Sequence, residues 1–497
     1  MSAADGWSRR AVMGGGVAAG LTAIGNSAVA QAAADGVYRS AANAGSSAVR
    51  AFPGIRYGRA ERFRPAVPVM QAEQANSGSF GPVCPQQGTR YQPQDEDCLF
   101  LNVWTPPRPA AKPRPVMVYI HGGAYSAGSV TDPLNDGAKL AARGDVVVVT
   151  VNHRLNALGY LYLARLDPRF PDSGNLGQLD LICALHWVRR NIAAFGGDQH
   201  NVTLFGQSGG GAKIATLMAM PAAKGLFHKA ITMSGQQVTA SGPLHATRRA
   251  EAFLAKLGKE VDPVTAPVEQ LVAALSATDP VMGGGVYMGP VLDMTHLSRH
   301  PFWPDAAPQG NVIPMLLGNT VAETRAFFGP DHPKMQGLDW TNLAQRTGPE
   351  LKVDISPEWV IAQFRARYPA DTPEQIFHRA VTAGRSWRGQ VEEAEARARA
   401  GAPAFVYQLD FENAQHTDDI GLTFGTMPDP TPARQAMSER VMQAFVRFAR
   451  TGNPGWPAYT LPARQTMVFD SVSRVVSNPR VWERELFARV PYIQPGS

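Results

Sequence analysis

The chain has 497 residues, a formal charge of +6, and 44% hydrophobic against 18% charged residues. That balance excludes a disordered chain, and the length leaves room for one large domain with insertions or for two domains. Basic residues are scattered among acidic ones with no Lys/Arg block, which argues against a nucleic-acid partner.

The first segment reads as a targeting signal. Ser8-Arg9-Arg10-Ala11-Val12-Met13 is a twin-arginine pattern, a weakly apolar Gly/Ala run follows at 14–24, and Ala28-Val29-Ala30 is a small-x-small cleavage pattern. Residues 1–30 are therefore expected to direct export of an already folded protein, to the periplasm or beyond. No later run reaches the ~18 apolar residues of a membrane span.

Residues 36–38 and 49–52 are short strand candidates, and 99–104 alternates as a strand does. Residues 115–120 and 145–151 are continuous apolar runs, the mark of strands buried on both faces. The first ends in His121-Gly122-Gly123-Ala124-Tyr125. Gly174-Asn175-Leu176-Gly177-Gln178 opens a helix over 180–195. Then come a strand at 202–205, the turn Gly206-Gln207-Ser208-Gly209-Gly210 and a helix at 212–218. Further strands are predicted at 229–235, 289–293, 313–318 and 404–409. Residues 340–400 read as a helical insertion over the sheet edge. Residues 438–450 form an amphipathic helix stopped by Gly452-Asn453-Pro454-Gly455. Strands alternating with helices predict an α/β fold, doubly wound around a mixed, mostly parallel sheet. No repeat or low-complexity linker divides residues 36–497, so one large domain is expected there.

Strand, Gly-x-Ser-x-Gly turn and helix make a nucleophile elbow with Ser208 at its tip. A serine hydroxyl needs a base, an acid to orient that base, and donors for the oxyanion. The base should follow a late strand, which favours His416 over His228. The acid should also follow a strand, and both Glu323 and Asp293 do. Backbone donors come from Gly209 and from the His-Gly-Gly-Ala loop. His296 and His300 lack a third ligand, and no metal or cofactor spacing occurs. Tyr125, Gln207 and Phe327 are candidates to line the substrate pocket.

Glu96-Asp97-Cys98-Leu99-Phe100-Leu101-Asn102-Val103, His121-Gly122-Gly123-Ala124-Tyr125, Gly174-Asn175-Leu176-Gly177, Ala194-Phe195-Gly196-Gly197-Asp198, the elbow and Trp456-Pro457-Ala458-Tyr459 together resemble the type-B carboxylesterases. These are α/β-hydrolases related to cholinesterases and to bacterial para-nitrobenzyl-type esterases. The resemblance covers nearly all of residues 36–490. It implies a triad of Ser208, Glu323 and His416, with oxyanion donors at Gly123, Ala124 and Gly209. It also implies a Cys84–Cys98 disulfide, ion pairs Arg62–Glu96 and Arg154–Asp180, and a supporting serine, Ser234, beside the acid. The chain departs from the family's Glu-Ser-Ala elbow by carrying Gln207-Ser208-Gly209, which argues against a cationic substrate.

The expected function is hydrolysis of small carboxylic esters through an acyl-enzyme. The same machinery on an amide or carbamate, and a non-catalytic adhesion homologue, are the alternatives. The sequence does not determine the oligomeric state.

Overall fold

The apolar runs become the middle of a ten-stranded sheet. The computed structural model describes residues 38, 49–69, 78–108, 110–494 and 496. The export signal expected at 1–30 lies outside them, as does the strand expected at 36–38 apart from Tyr38. In chain order the strands are β1 (Arg50–Arg56), β2 (Gly58–Arg59), β3 (Val67–Pro68), β4 (Phe100–Thr105), β5 (Arg114–Ile120), β6 (Val147–Val151), β7 (Gly197–Gln207), β8 (Lys229–Met233), β9 (Met315–Thr320), β10 (Ala404–Leu409), β11 (Gln465–Phe469) and β12 (Arg474–Ser477). The short β2 and β3 pair separately. The others run in the order β1-β4-β6-β5-β7-β8-β9-β10-β11-β12. Every neighbouring pair from β6 across to β11 is parallel. The pairs β1/β4, β4/β6 and β11/β12 are antiparallel.

Burial on both faces explains the unbroken apolar runs. Val116, Val118 and Ile120 join one core with Trp187, Phe195 and Leu217. Met117 and Tyr119, alternate residues of the same strand, join the opposite core with Phe205, Phe424 and Phe448. Helices Leu176–Asn191 and Gly209–Leu217 supply the first layer, and Pro432–Thr451 supplies the second.

Leu343, Leu351, Phe364 and Phe377 of the insertion form a separate core with Phe487 of the late helix Val481–Phe487. The insertion's last helix, Arg388–Arg399, packs on β9 and β10, which are interior strands rather than the sheet edge. The π-helical stretch Thr382–Trp387 leads into that helix.

Residues 289–293 form a loop, not a strand. The Asn175 carboxamide takes over the ladder's role there, accepting from Val291 N–H at 3.0 Å and donating to the Val291 carbonyl at 2.8 Å. Only Val291 itself makes a single bridge, to Ser241.

Arg154 and Asp180 are both buried and meet at 2.7 and 2.8 Å, tying the turn after β6 to helix Leu176–Asn191. Arg62 Nε lies 2.7 Å from Glu96, and its Nη1 reaches the carbonyls of Pro263 and Val264. The disulfide is a correction: Cys84 and Cys98 are free, buried thiols. Cys84 Sγ accepts the Leu155 N–H at 3.2 Å, and the Cys84 side chain, followed by burial, pushes the Cys98 pKa up. Among the described residues no helix is long and apolar enough to cross a membrane.

Candidate active site

Ligands of parallel α/β sheets bind beyond the carboxyl ends of the strands. Four such ends converge here. β5 runs into His121-Gly122-Gly123-Ala124, β7 into Ser208, β9 into the turn carrying Glu323, and β10 into the loop carrying His416. Ser208 and His416 line one cleft of about 630 Å³ together with Gly122, Gly123 and Ala124.

Ser208 has φ 55° and ψ −125°, a strained conformation for a residue with a side chain. Its N–H donates to the Met233 carbonyl at 2.7 Å and its own carbonyl accepts from Ala212 at 3.1 Å. Strand thus becomes helix within one residue. Gly209 makes that possible: a Cβ there would sit 2.1 Å from the Ala124 oxygen. The lack of a side chain lets elbow and loop touch backbone to backbone. Gly123 and Ala124 are successive left-handed residues, with φ of 84° and 52°. Their N–H groups donate to nothing else among the described residues, and Gly209 is the first residue of its helix, where an N–H has no intrahelical acceptor. Three free donors therefore gather beside the serine, at the positive end of a helix.

Glu323 is fully buried and holds His416 Nδ1 at 2.5 Å through Oε2. Its Oε1 accepts from Thr320 N–H at 2.8 Å, Asn319 Nδ2 at 3.3 Å and the Ser234 hydroxyl. Burial pushes this carboxyl up. The His416 charge and these hydrogen bonds outweigh it and hold Glu323 below the usual range. The rival acid, Asp293, caps a turn by accepting the N–H groups of Thr295, His296 and Leu297. His416 Nε2 faces the Gln207 side-chain nitrogen at 3.2 Å. The ionised Glu323 carboxylate only accepts, so the ring proton sits on Nδ1, toward Glu323, and Nε2 is left to accept. That is the tautomer a general base requires.

The remaining expectations divide. Gln207 and Phe327 line the cleft, and the Phe327 ring lies 4.6 Å from that of His416. Tyr125 does not line it, which corrects that expectation. It is buried among Tyr160 and Tyr287, with its hydroxyl bonded to Gln237 at 2.8 Å, because the chain dives into the core directly after the glycines. His296 pairs with Asp172 and His300 accepts from Ala240 N–H, so the two imidazoles serve separate contacts. Sequence reading missed Arg385, which the π-helical stretch delivers to the cleft and which pairs with Glu350 at 2.9 Å. It also missed Lys213 and Asp419, polar residues within helical stretches that carry no motif.

Asp419 is buried, three residues beyond His416, and accepts from Tyr407 OH at 3.1 Å. Burial, then the Glu323 charge, push its carboxyl up from 3.8 to about 7. Between those values the folded state keeps a proton that the unfolded chain has released, so stability falls as pH rises through this window and then levels off. Asp419→Asn removes that slope. In urea titrations the variant gains on the wild type from pH 4 to pH 7, by up to about 4 kcal/mol. Parallel pH profiles for the two proteins would contradict the assignment.

A parallel sheet wound on both faces, with a serine elbow, a buried carboxylate–imidazole pair and free backbone donors at its carboxyl edge, defines an α/β-hydrolase. The model of the carboxylesterase family matches residues 28–478. The chain is 35% identical over 464 residues to the para-nitrobenzyl esterase of Bacillus subtilis (strain 168), covering 85% of this chain and 91% of that protein. It is 33% identical over 439 residues to a probable N-octanoylanthranilate hydrolase of Rhodococcus erythropolis, covering 84% and 93%. The structure of a Geobacillus stearothermophilus carboxylesterase matches with a TM-score of 0.80 at 34% identity, over 90% of this chain and 98% of that one. The chain belongs to the carboxylesterase family and is a carboxylic ester hydrolase.

Proposed function

We propose that the protein hydrolyses small neutral esters through an acyl-enzyme on Ser208, outside the cytoplasm. The observation that carries this reading is the buried Glu323–His416 pair, whose imidazole presents an unprotonated Nε2 to the cleft that holds Ser208. His416 takes the hydroxyl proton as Ser208 attacks the ester carbonyl. Gly123, Ala124 and Gly209 donate to the oxyanion of the tetrahedral intermediate, each such bond being worth about 3 kcal/mol. The alcohol leaves with the proton from His416, and water then repeats the sequence on the acyl group.

The cleft supports a neutral substrate. Gln207 places an amide, not a carboxylate, beside the nucleophile, and the Asp132 carboxylate on the cleft wall is already engaged by Arg90 and Tyr91 at 2.7 Å. The rest of the wall mixes Tyr119, Leu134, Phe327 and Ile420 with Gln86 and Arg385, and its volume suits a small molecule. The twin-arginine pattern supports export.

One experiment tests both parts. The full chain is expressed in a bacterial host, and periplasmic and cytoplasmic fractions are assayed on para-nitrophenyl esters of increasing acyl length and on the matched anilides. Turnover of the esters at least a hundredfold above the anilides is expected, and in the periplasmic fraction. Anilide rates equal to ester rates would overturn the substrate reading, and activity confined to the cytoplasm would overturn export.

A further inference from the structure

Lys213 lies five residues beyond Ser208 on helix Gly209–Leu217 and is fully buried. An ammonium group inside a core is costly unless acceptors meet it. Burial alone accounts for the fall of its pKa to about 7, and no carboxylate offsets it among the described residues. What meets it is the backbone. Nζ donates to the Ala124 oxygen at 2.7 Å and to the His121 oxygen at 3.3 Å, and it stands 5.4 Å from the centre of the Tyr125 ring.

Those two oxygens mark the first and last residues of the His121-Gly122-Gly123-Ala124 loop. Between them lie the peptides that carry the Gly123 and Ala124 N–H groups. Ala124 holds a left-handed φ of 52°, which costs a residue with a Cβ about 1–2 kcal/mol and persists only where surroundings impose it. Within the loop, His121 Nδ1 lies 2.9 Å from the Gly122 oxygen, and the Gly123 oxygen accepts from the Ser126 and Ala127 N–H groups. Lys213 bonds both ends of the loop, and it reaches them from the helix whose first residue is Gly209.

We propose that Lys213 is a positioning residue for the oxyanion site: its two hydrogen bonds clamp both ends of the 121–124 loop and so set the Gly123 and Ala124 donors against Gly209. The inference rests on the oxyanion role of that loop. An amine donates both bonds whether or not it carries a proton, so the clamp holds across neutral pH.

Lys213→Met keeps an unbranched side chain one atom shorter and deletes the donors, whereas Lys213→Gln keeps a donor. Kinetics on a para-nitrophenyl ester should show kcat about 10- to 100-fold lower in Lys213→Met with KM within about twofold. The affinity for an aliphatic trifluoromethyl ketone, which forms a tetrahedral oxyanion on the serine, should fall by the same factor, and Lys213→Gln should recover part of both. If Lys213→Met does not fold, as judged by thermal unfolding, Lys213→Gln is compared with the wild type, and a loss of kcat matched by ketone affinity is then the expected result. Unchanged kcat, or a fall in kcat with ketone affinity intact, would overturn the clamp. A wild-type enzyme that turns over esters yet fails to bind the ketone would overturn the oxyanion reading itself, independently of Lys213.

Discussion

Ser208→Ala lowers kcat on a para-nitrophenyl ester by about five to six orders of magnitude, leaving only the residue of catalysis that binding and the oxyanion donors provide. Removal of one oxygen should leave the fold intact, because the alanine keeps the Cβ and the same backbone demand. Ser208→Gly gives the matching control. It is equally inactive, but it relieves the φ of 55°, so its unfolding free energy should rise by about 1 kcal/mol in urea. Inactivity in both variants, with a gain in stability in Ser208→Gly alone, would place the strain and the chemistry on one residue. Turnover by Ser208→Ala within tenfold of the wild type would remove the serine from the mechanism.

Glu323→Gln should cost about 10⁴ in kcat, although it replaces one atom in a fully buried site. The direction follows from the hydrogen bonds. Oε1 accepts the Thr320 N–H and the Ser234 hydroxyl, so the amide oxygen must occupy that side. The amide NH₂ then faces His416 Nδ1, where Oε2 stood at 2.5 Å. Both groups cannot donate, so the imidazole moves its proton to Nε2 and can no longer accept one from Ser208. Steady-state kinetics alongside circular dichroism checks this. A loss below tenfold in a folded variant would mean that the carboxylate does not set the tautomer.

The sequence was most informative where burial is two-sided. Residues 115–120 and 145–151 are apolar without interruption because both faces of β5 and β6 are covered, and both were legible as strands. β7 was legible only at 202–205, because Gly197-Asp198-Gln199-His200-Asn201 adds a polar, half-exposed start that carries no periodicity. β12 lies at the sheet edge with mostly exposed residues, and no apolar pattern marks it. Residues 289–293 carried the opposite error. Their apolar pattern is that of a strand, but the Asn175 side chain takes both Val291 backbone groups and a single bridge to Ser241 takes the Pro290 carbonyl and Leu292 N–H, so no strand ladder forms. Ser208, Glu323 and His416 could be put forward together because each follows a strand, and the structure brings all three to the same end of the sheet. Lys213 was not legible, because a lysine in a helix ordinarily reaches solvent. The partners that hold it here are backbone oxygens 89 and 92 residues earlier in the chain.

The order of the sheet also sets when the molecule can begin to work. The elbow and its helix are local in sequence, but the residues gathered at the cleft come from four strands ending between residues 120 and 409, and His416 arrives only with β10. On the proposed reading, a nascent chain that has released β5 through β8 already holds the proposed nucleophile and donor loop, yet it lacks the proposed base. Activity is therefore a late event in synthesis and refolding, gated by the slow pairing of distant parallel strands. A protein built this way stays chemically silent until nearly the whole chain is in place.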